Sequence, residues 1–192
     1  MKILGTISLF SFCIFAQGES VGTQKELSEH LKPFENYIGK TFKGEFANST
    51  PENPVYDISN WERALNGNAI RILHSVNNGE YGGESIIMWN AKKESLCSWY
   101  FTTAGFFTEA TLYFEDDKLI SIEDVTGNEN GITQVKAVID LLPNGQLVNS
   151  SEYLMNGNWV EGHKIYYNEE PNGKVTVSYT HLRAHETSLH LV

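Results

Sequence analysis

Two periods divide this chain. Between Thr23 and Tyr37 the apolar positions Leu27, Leu31 and Phe34, continued by Ile38, recur at spacings of 4, 3 and 4. That is a single helical stripe, and it predicts an N-terminal helix within a segment spanning 17–40. Thr23 and Glu26 have the spacing of a capping box, Pro33 should break or kink the helix, and Gly39 should end it. Past Gly39 apolar and polar residues alternate instead. Ten strand-like runs follow, at 41–47, 55–65, 69–76, 84–90, 96–102, 106–115, 118–126, 132–142, 146–154 and 159–168.

The punctuation between the runs is clear. Asn66-Gly67, Asn144-Gly145 and Asn156-Gly157 are dipeptides that tight hairpin turns favour, because both residues tolerate positive φ. Asn78-Gly79, Asp116-Asp117 and Asn130-Gly131 serve the same purpose elsewhere. Consecutive strands joined by short turns must be antiparallel neighbours. An open meander of ten such strands would expose two edges, so the sheet is expected to close. The prediction is an all-β fold: an antiparallel up-and-down β-barrel over 41–176, with the one N-terminal helix plugging or flanking an end. A two-sheet sandwich is the alternative.

Composition supports one domain. The chain has 192 residues, 41% hydrophobic and 12% aromatic, enough to bury a core without metal or disulfide. Lys and Arg number 14 against 24 Asp and Glu, a net charge of −10. Nucleic acids and anionic membranes require a basic face, so neither is an expected partner. Cys97 lies in an alternating run with Trp99 and Phe101 and is expected to be a buried, inert thiol.

The two ends follow neither period. Lys2 precedes an apolar stretch from Ile3 to Phe15 and then Ala16, the pattern of a secretory signal cleaved after residue 16. It is too short to span a bilayer, which needs about 20 apolar residues. The expectation is export to a bacterial periplasm or beyond, with no membrane attachment after cleavage. Phe12 stands where a lipobox before Cys13 would need a small residue. Residues 177–192 resemble translated sequencing-adapter read-through and are expected to be non-native. The helical spacing of His181 and His185 is therefore not taken as a metal site.

Candidate chemistry is sparse. The chain carries no GxGxxG, P-loop, HExxH, GxSxG or CxxC motif, and no cofactor or metal is predicted. His30, His74 and His163 sit on different elements and make no close-spaced pair of ligands. A two-residue turn at Asn66-Gly67 would set Glu62 opposite Arg71 and Trp61 opposite Ile72. Facing out, Glu62 and Arg71 are an ordinary surface pair; facing in, they could orient a polar ligand head. Alternation places Trp61 and Arg63 together on the other face. Trp99, Tyr100 and Phe101 precede a Thr-Thr-Ala-Gly corner, and aromatics beside hydroxyls suit either a pocket lining or a core. Residues 77–84 hold three glycines and two carboxylates, which predicts a flexible loop at the barrel rim. Glu152 should pair with Glu161 across the Asn156-Gly157 turn, on a solvated face.

The segments Trp61-Glu-Arg-Ala-Leu-Asn-Gly-Asn-Ala69, Asn77-Asn-Gly-Glu-Tyr-Gly-Gly-Glu84, Tyr100-Phe-Thr-Thr-Ala-Gly-Phe106 and Asn156-Gly-Asn-Trp-Val160 resemble secreted bacterial lipocalin-like proteins, a family without a settled activity. The resemblance spans roughly Leu27 to Tyr167. It implies a calycin-type barrel with a small-molecule pocket. The stretch from Phe34 to Gly44 is also similar to the start of nitrobindin-type haem barrels, but the ligating histidine those barrels place near the C-terminus is not carried over here. The leading expectation is an exported barrel holding an apolar or amphipathic small molecule. Its candidate lining is Trp61, Arg63, Trp89, Trp99 and Phe101. The alternatives are an enzyme using Glu62, Arg71 or His74 as acid, base or clamp, and a filled barrel with no ligand.

Overall fold

A computed structural model describes residues 26–127 and 130–176. The expected signal segment and the suspected non-native tail lie outside the described residues. The strands are β1 (Thr41–Glu45), β2 (Tyr56–Ala64), β3 (Ala69–Val76), β4 (Tyr81–Asn90), β5 (Ser95–Thr102), β6 (Phe107–Glu115), β7 (Lys118–Asp124), β8 (Ile132–Leu141), β9 (Leu147–Met155) and β10 (Asn158–Glu169). Each pairs antiparallel with its neighbour in sequence, and β1 pairs with β10 to close a ten-stranded up-and-down barrel. Closure leaves no sheet edge running the length of the molecule.

Hydrophobic alternation and turn chemistry placed nine of the runs within about two residues of the strands. The largest departure is β4, which begins at Tyr81 and takes in Gly82 and Gly83. The predicted rim loop is thus only the turn 77–80. At the β2–β3 hairpin the chain turns through Leu65, Asn66 and Gly67, all with positive φ. The strands close on Ala64 opposite Ala69, and the expected partners Glu62–Arg71 and Trp61–Ile72 face each other. Glu152 likewise pairs with Glu161. Lys136 sits 3.1 Å from the Glu152 carboxylate and offsets the repulsion.

The predicted helix is shorter than expected. It is a 3-10 helix from Glu29 to Phe34 with Pro33 inside it. Pro33 lacks an N–H and its ring crowds an α-helical turn, so the segment keeps only short three-residue bonds such as Leu31 N to Ser28 O at 2.8 Å. The apolar stripe still works as a plug. Leu27, Leu31 and Phe34 are buried in the barrel end against Phe42, Trp61, Ile70, Ile87, Leu112 and Leu119. Phe34 meets Phe114 edge-on at 5.1 Å, and Tyr37 meets Trp61 at 5.0 Å. Each such side chain, fully buried, stabilises the fold by roughly 1.5–3 kcal/mol. This end of the barrel is sealed and apolar. The turns at 77–80, 103–106 and 156–157 lie at the other end, the mouth.

After β10 the chain turns back at the sealed end, with Glu170 N donating to Thr41 O at 2.7 Å. It then crosses the outside of the barrel to Thr176, whose N–H bonds Ser75 Oγ at 3.0 Å. That crossing explains why Ser75, on the outer face, is fully buried.

Candidate functional site

Strand register decides which side chains enter the barrel. Phe42 pairs with Ser59, Ser59 with His74, His74 with Gly83, and Ser85 with Tyr100. Paired residues share a face, so Asp57, His74, Tyr81, Ser85, Ser98, Tyr100, Ser121 and Glu123 point inward in the half nearer the mouth. Ser85, Ser98, Ser121 and Glu123 are only half-buried. In the sealed half Phe42, Trp61, Ile70, Ile87, Leu112 and Leu119 are at most a few per cent exposed, with Ile72, Trp89, Phe114 and Arg63 partly buried around them. Solvent therefore reaches the interior from the mouth and stops at the apolar plug.

Five polar side chains join into one line on this inner wall. The Asp57 carboxylate is the centre. Its Oδ1 lies 2.8 Å from His74 Nδ1, and its Oδ2 accepts a bond from the Tyr167 hydroxyl at 3.1 Å. His74 Nε2 lies 2.6 Å from the Tyr100 hydroxyl, and Tyr100 lies 3.1 Å from the Tyr81 hydroxyl. Tyr100 has one proton for two neighbours. Given to Tyr81, it leaves Nε2 to donate and makes His74 an imidazolium against Asp57. Given to Nε2, it leaves Tyr81 to donate. Burial, and next the hydrogen bond with Tyr81, push the Tyr100 phenol well above its ordinary pKa of 10.0. Burial and the nearby Asp57 do the same for Tyr167. Both phenols stay protonated at neutral pH and act as hydrogen-bond donors.

Two glycines make this line possible. Tyr167 on β10 and Asp57 on β2 flank Gly44 on β1, and all three sit in one row of the sheet. With no side chain at Gly44, the tyrosine ring lies across the strand, 2.9 Å from where a Cβ would be. Tyr100 on β5 crosses Gly83 on β4 in the same way to reach His74 on β3; a Cβ there would be 2.6 Å from its ring. These glycines are seats for aromatic rings rather than turn residues.

Around the mouth the wall is uneven. On one side Ser151 Oγ accepts from the His163 backbone N–H at 3.0 Å, within a bulge where β10 carries one extra residue. On the other side β6 and β7 part. Their pairing ends at Ala110 opposite Glu123, although β6 continues to Phe107 beside β5 and β7 continues to Asp124 beside β8. An open cavity of about 640 Å³ lies at the gap, bordered by Phe106, Phe107, Thr108 and Glu123 and, on the outer face, by Lys93, Glu109, Thr111 and Ile122. Burial pushes the Glu123 carboxyl above its ordinary pKa, against a smaller lowering by the Thr108 hydroxyl.

The sequence-derived candidates are scattered by this geometry. His74 alone lies in the polar line. Trp61, Arg63 and Trp89 face inward but belong to the sealed half. Trp61 is packed under the plug, and the Trp89 ring stacks on His30 at 3.6 Å. The Arg63 Nη1 and Trp61 Nε1 atoms are buried without a hydrogen-bond partner among the described residues. Glu62 and Arg71 face outward. Arg71 forms a bidentate pair with Glu84, at 2.7 and 3.2 Å, and reaches Glu62 at 3.5 Å. Trp99 and Phe101 must be corrected from lining to outer surface. The turn at residues 91–94 pairs Trp89 with Leu96, which sends the even residues of β5 inward and the odd ones out. Phe101 is half exposed and packs on Phe107 at 5.9 Å. Cys97 also faces outward, yet is fully buried.

Asp57, Tyr81, Tyr167 and Glu123 were not among the candidates, and Tyr100 was singled out only with the aromatics that suit a pocket lining or a core. The signal that could have found them is the pairing of inward tyrosines with strand glycines. Among the described residues no group of three His, Cys, Asp or Glu side chains could hold a metal ion. The chain matches no protein-family model and no curated protein.

Proposed function

We propose that this protein is a small-molecule-binding barrel, exported on its N-terminal segment, that receives its ligand at the mouth. The observation that carries this reading is the inner wall of the open half. There, half-buried serines line the inward face and donor phenols meet Asp57 and His74. A core built only for stability would fill that space with apolar side chains, as the sealed half does. The wall favours a ligand with a hydrogen-bonding head set against Tyr81, Tyr100 and His74. That is the amphipathic end of the range expected from the sequence, not the purely apolar end. The sealed half offers such a ligand a fixed floor and no room.

Native mass spectrometry of the full chain, expressed with its export segment, tests the reading. The wild type should carry a non-covalent mass, and the double variant His74→Ala/Tyr100→Phe should lose it while keeping its barrel circular dichroism. A bare wild-type mass, with no melting shift across a small-molecule panel, would count against it. One feature favours a second reading, catalysis in the same chamber. Asp57, His74 and Tyr100 form a carboxylate–imidazole–phenol line that can pass a proton to a bound molecule. Returning the released molecule to emptied protein separates the two readings, because only a catalyst alters it.

A further inference from the structure

The chamber has a sign. Among the described inward-facing strand residues Arg63 is the one Lys or Arg, and it lies in the sealed half opposite Ile70. The open half contains two inward carboxylates. Asp57 is committed to His74 and Tyr167. Glu123 has a hydroxyl, Thr108, and forms no ion pair with a described Lys or Arg. It stands where the seam between β6 and β7 stops, beside the 640 Å³ cavity. That volume lies in the range of about 300–1,000 Å³ usual for small-ligand sites.

The borders of the gap agree with that sign. Phe106 and Phe107 are both more than half exposed at its rim, at 52% and 64%. Exposed aromatic faces attract cations through their ring quadrupoles. Asp124 and Glu109 add negative charge at the same cavity, and the single ammonium there, Lys93, is already bound to Glu109 at 2.8 Å. A carboxylate half withdrawn from water, bordering the same cavity as two aromatic rings and paired with no described Lys or Arg, is an incomplete ion pair.

We propose that the ligand of this barrel is a small organic cation, a protonated amine or quaternary ammonium, which enters between β6 and β7 past Phe106 and Phe107 and anchors on Glu123. The proposal rests on the small-molecule reading above and adds its charge, its doorway and its anchor. An anionic ligand would meet carboxylates at every turn of this path and is rejected by it.

Three probes with one carbon skeleton test the charge directly: phenethylammonium, 2-phenylethanol and phenylacetate. Isothermal titration of the full chain at pH 7 should rank them in that order, with the ammonium at least about tenfold tighter than the alcohol. Glu123→Gln should bring the ammonium to the affinity of the alcohol and leave the alcohol unchanged. Phe107→Ala, a surface change that the fold tolerates, should weaken the ammonium severalfold. It keeps the test decisive if Glu123→Gln does not fold. Equal binding of ammonium and alcohol, or an ammonium affinity indifferent to both variants, overturns the proposal. So does the absence of any binding up to millimolar concentration. If the probes bind equally and His74→Ala/Tyr100→Phe weakens all three, the cation inference falls and the small-molecule reading stands. If no probe binds and the wild-type mass is also bare, both fall.

Discussion

The two halves of the barrel are built from the same ten strands by the same alternation, yet they are different materials. Following β3 from the sealed end to the mouth, the inward positions read Ile70, Ile72, His74. Along β5 they read Leu96, Ser98, Tyr100, and along β7 Leu119, Ser121, Glu123. Each of these three strands changes from aliphatic to polar about midway, although β3 ends on Val76 and the inward face of β8 stays apolar from Val135 to Leu141. The sealed half gains stability from dense apolar packing under the 3-10 plug. The open half forgoes that packing and holds charges and hydroxyls instead. Stability and recognition are thus separated along the barrel axis, and each can change with little cost to the other.

The separation breaks first, if it is wrong, at the plug. Phe34→Ala removes a fully buried ring from the sealed half and should cost about 3–5 kcal/mol, measured by urea unfolding. A loss under about 1 kcal/mol would mean the plug is not what seals the barrel. Gly83→Ala should come next, at about 1–3 kcal/mol of overpacking. Its new methyl meets the Phe101 carbonyl and the Tyr100 ring. Because it displaces Tyr100 from His74, it should also abolish ligand retention, which Phe34→Ala in a still-folded sample should not.

The smallest effect is also the one with a sign. Burial holds the Glu123 carboxyl above its ordinary value of 4.5. A carboxyl with a raised folded pKa keeps its proton longer in the native state than in the unfolded chain. Stability is therefore lost as pH rises from the unfolded value through the folded one. Glu123→Gln should melt at a higher temperature than wild type at pH 7, and the gap should vanish below about pH 4.5. Thermal melts at pH 4 and pH 7 would show it. A wild type more stable than the variant at pH 7 would mean that the protein already pairs Glu123 with a cation.

The fold was largely legible because its turns are chemically explicit. Asn-Gly dipeptides and period-2 runs marked nearly every strand, and hairpin counting alone set Glu62 against Arg71 and Glu152 against Glu161. The site was less legible, for three physical reasons. Gly82 and Gly83 were taken as loop residues because glycine usually marks turns, whereas here Gly83 makes room for a ring from the next strand. Trp99 and Phe101 drew attention as bulky aromatics, but the register between Trp89 and Leu96, set by the turn at 91–94, puts them outside. The Asp57–Tyr167 bond joins residues 110 positions apart. No local pattern encodes that contact, since it exists only once β10 returns to close against β1.

The parted seam between β6 and β7 has a mechanical consequence. A closed sheet distributes load around its whole circumference, and a seam that stops short concentrates it at one point, as a notch does in a ring. Here the notch tip is the pair Ala110–Glu123. Opening should advance from there toward Leu112 and Ser121, then Phe114 and Leu119, one rung at a time, while the rest of the ring holds. Amide exchange should run fastest at the tip and slow toward the plug. A molecule wedged in the notch and gripping both sides would act as a rivet, protecting rungs it never touches.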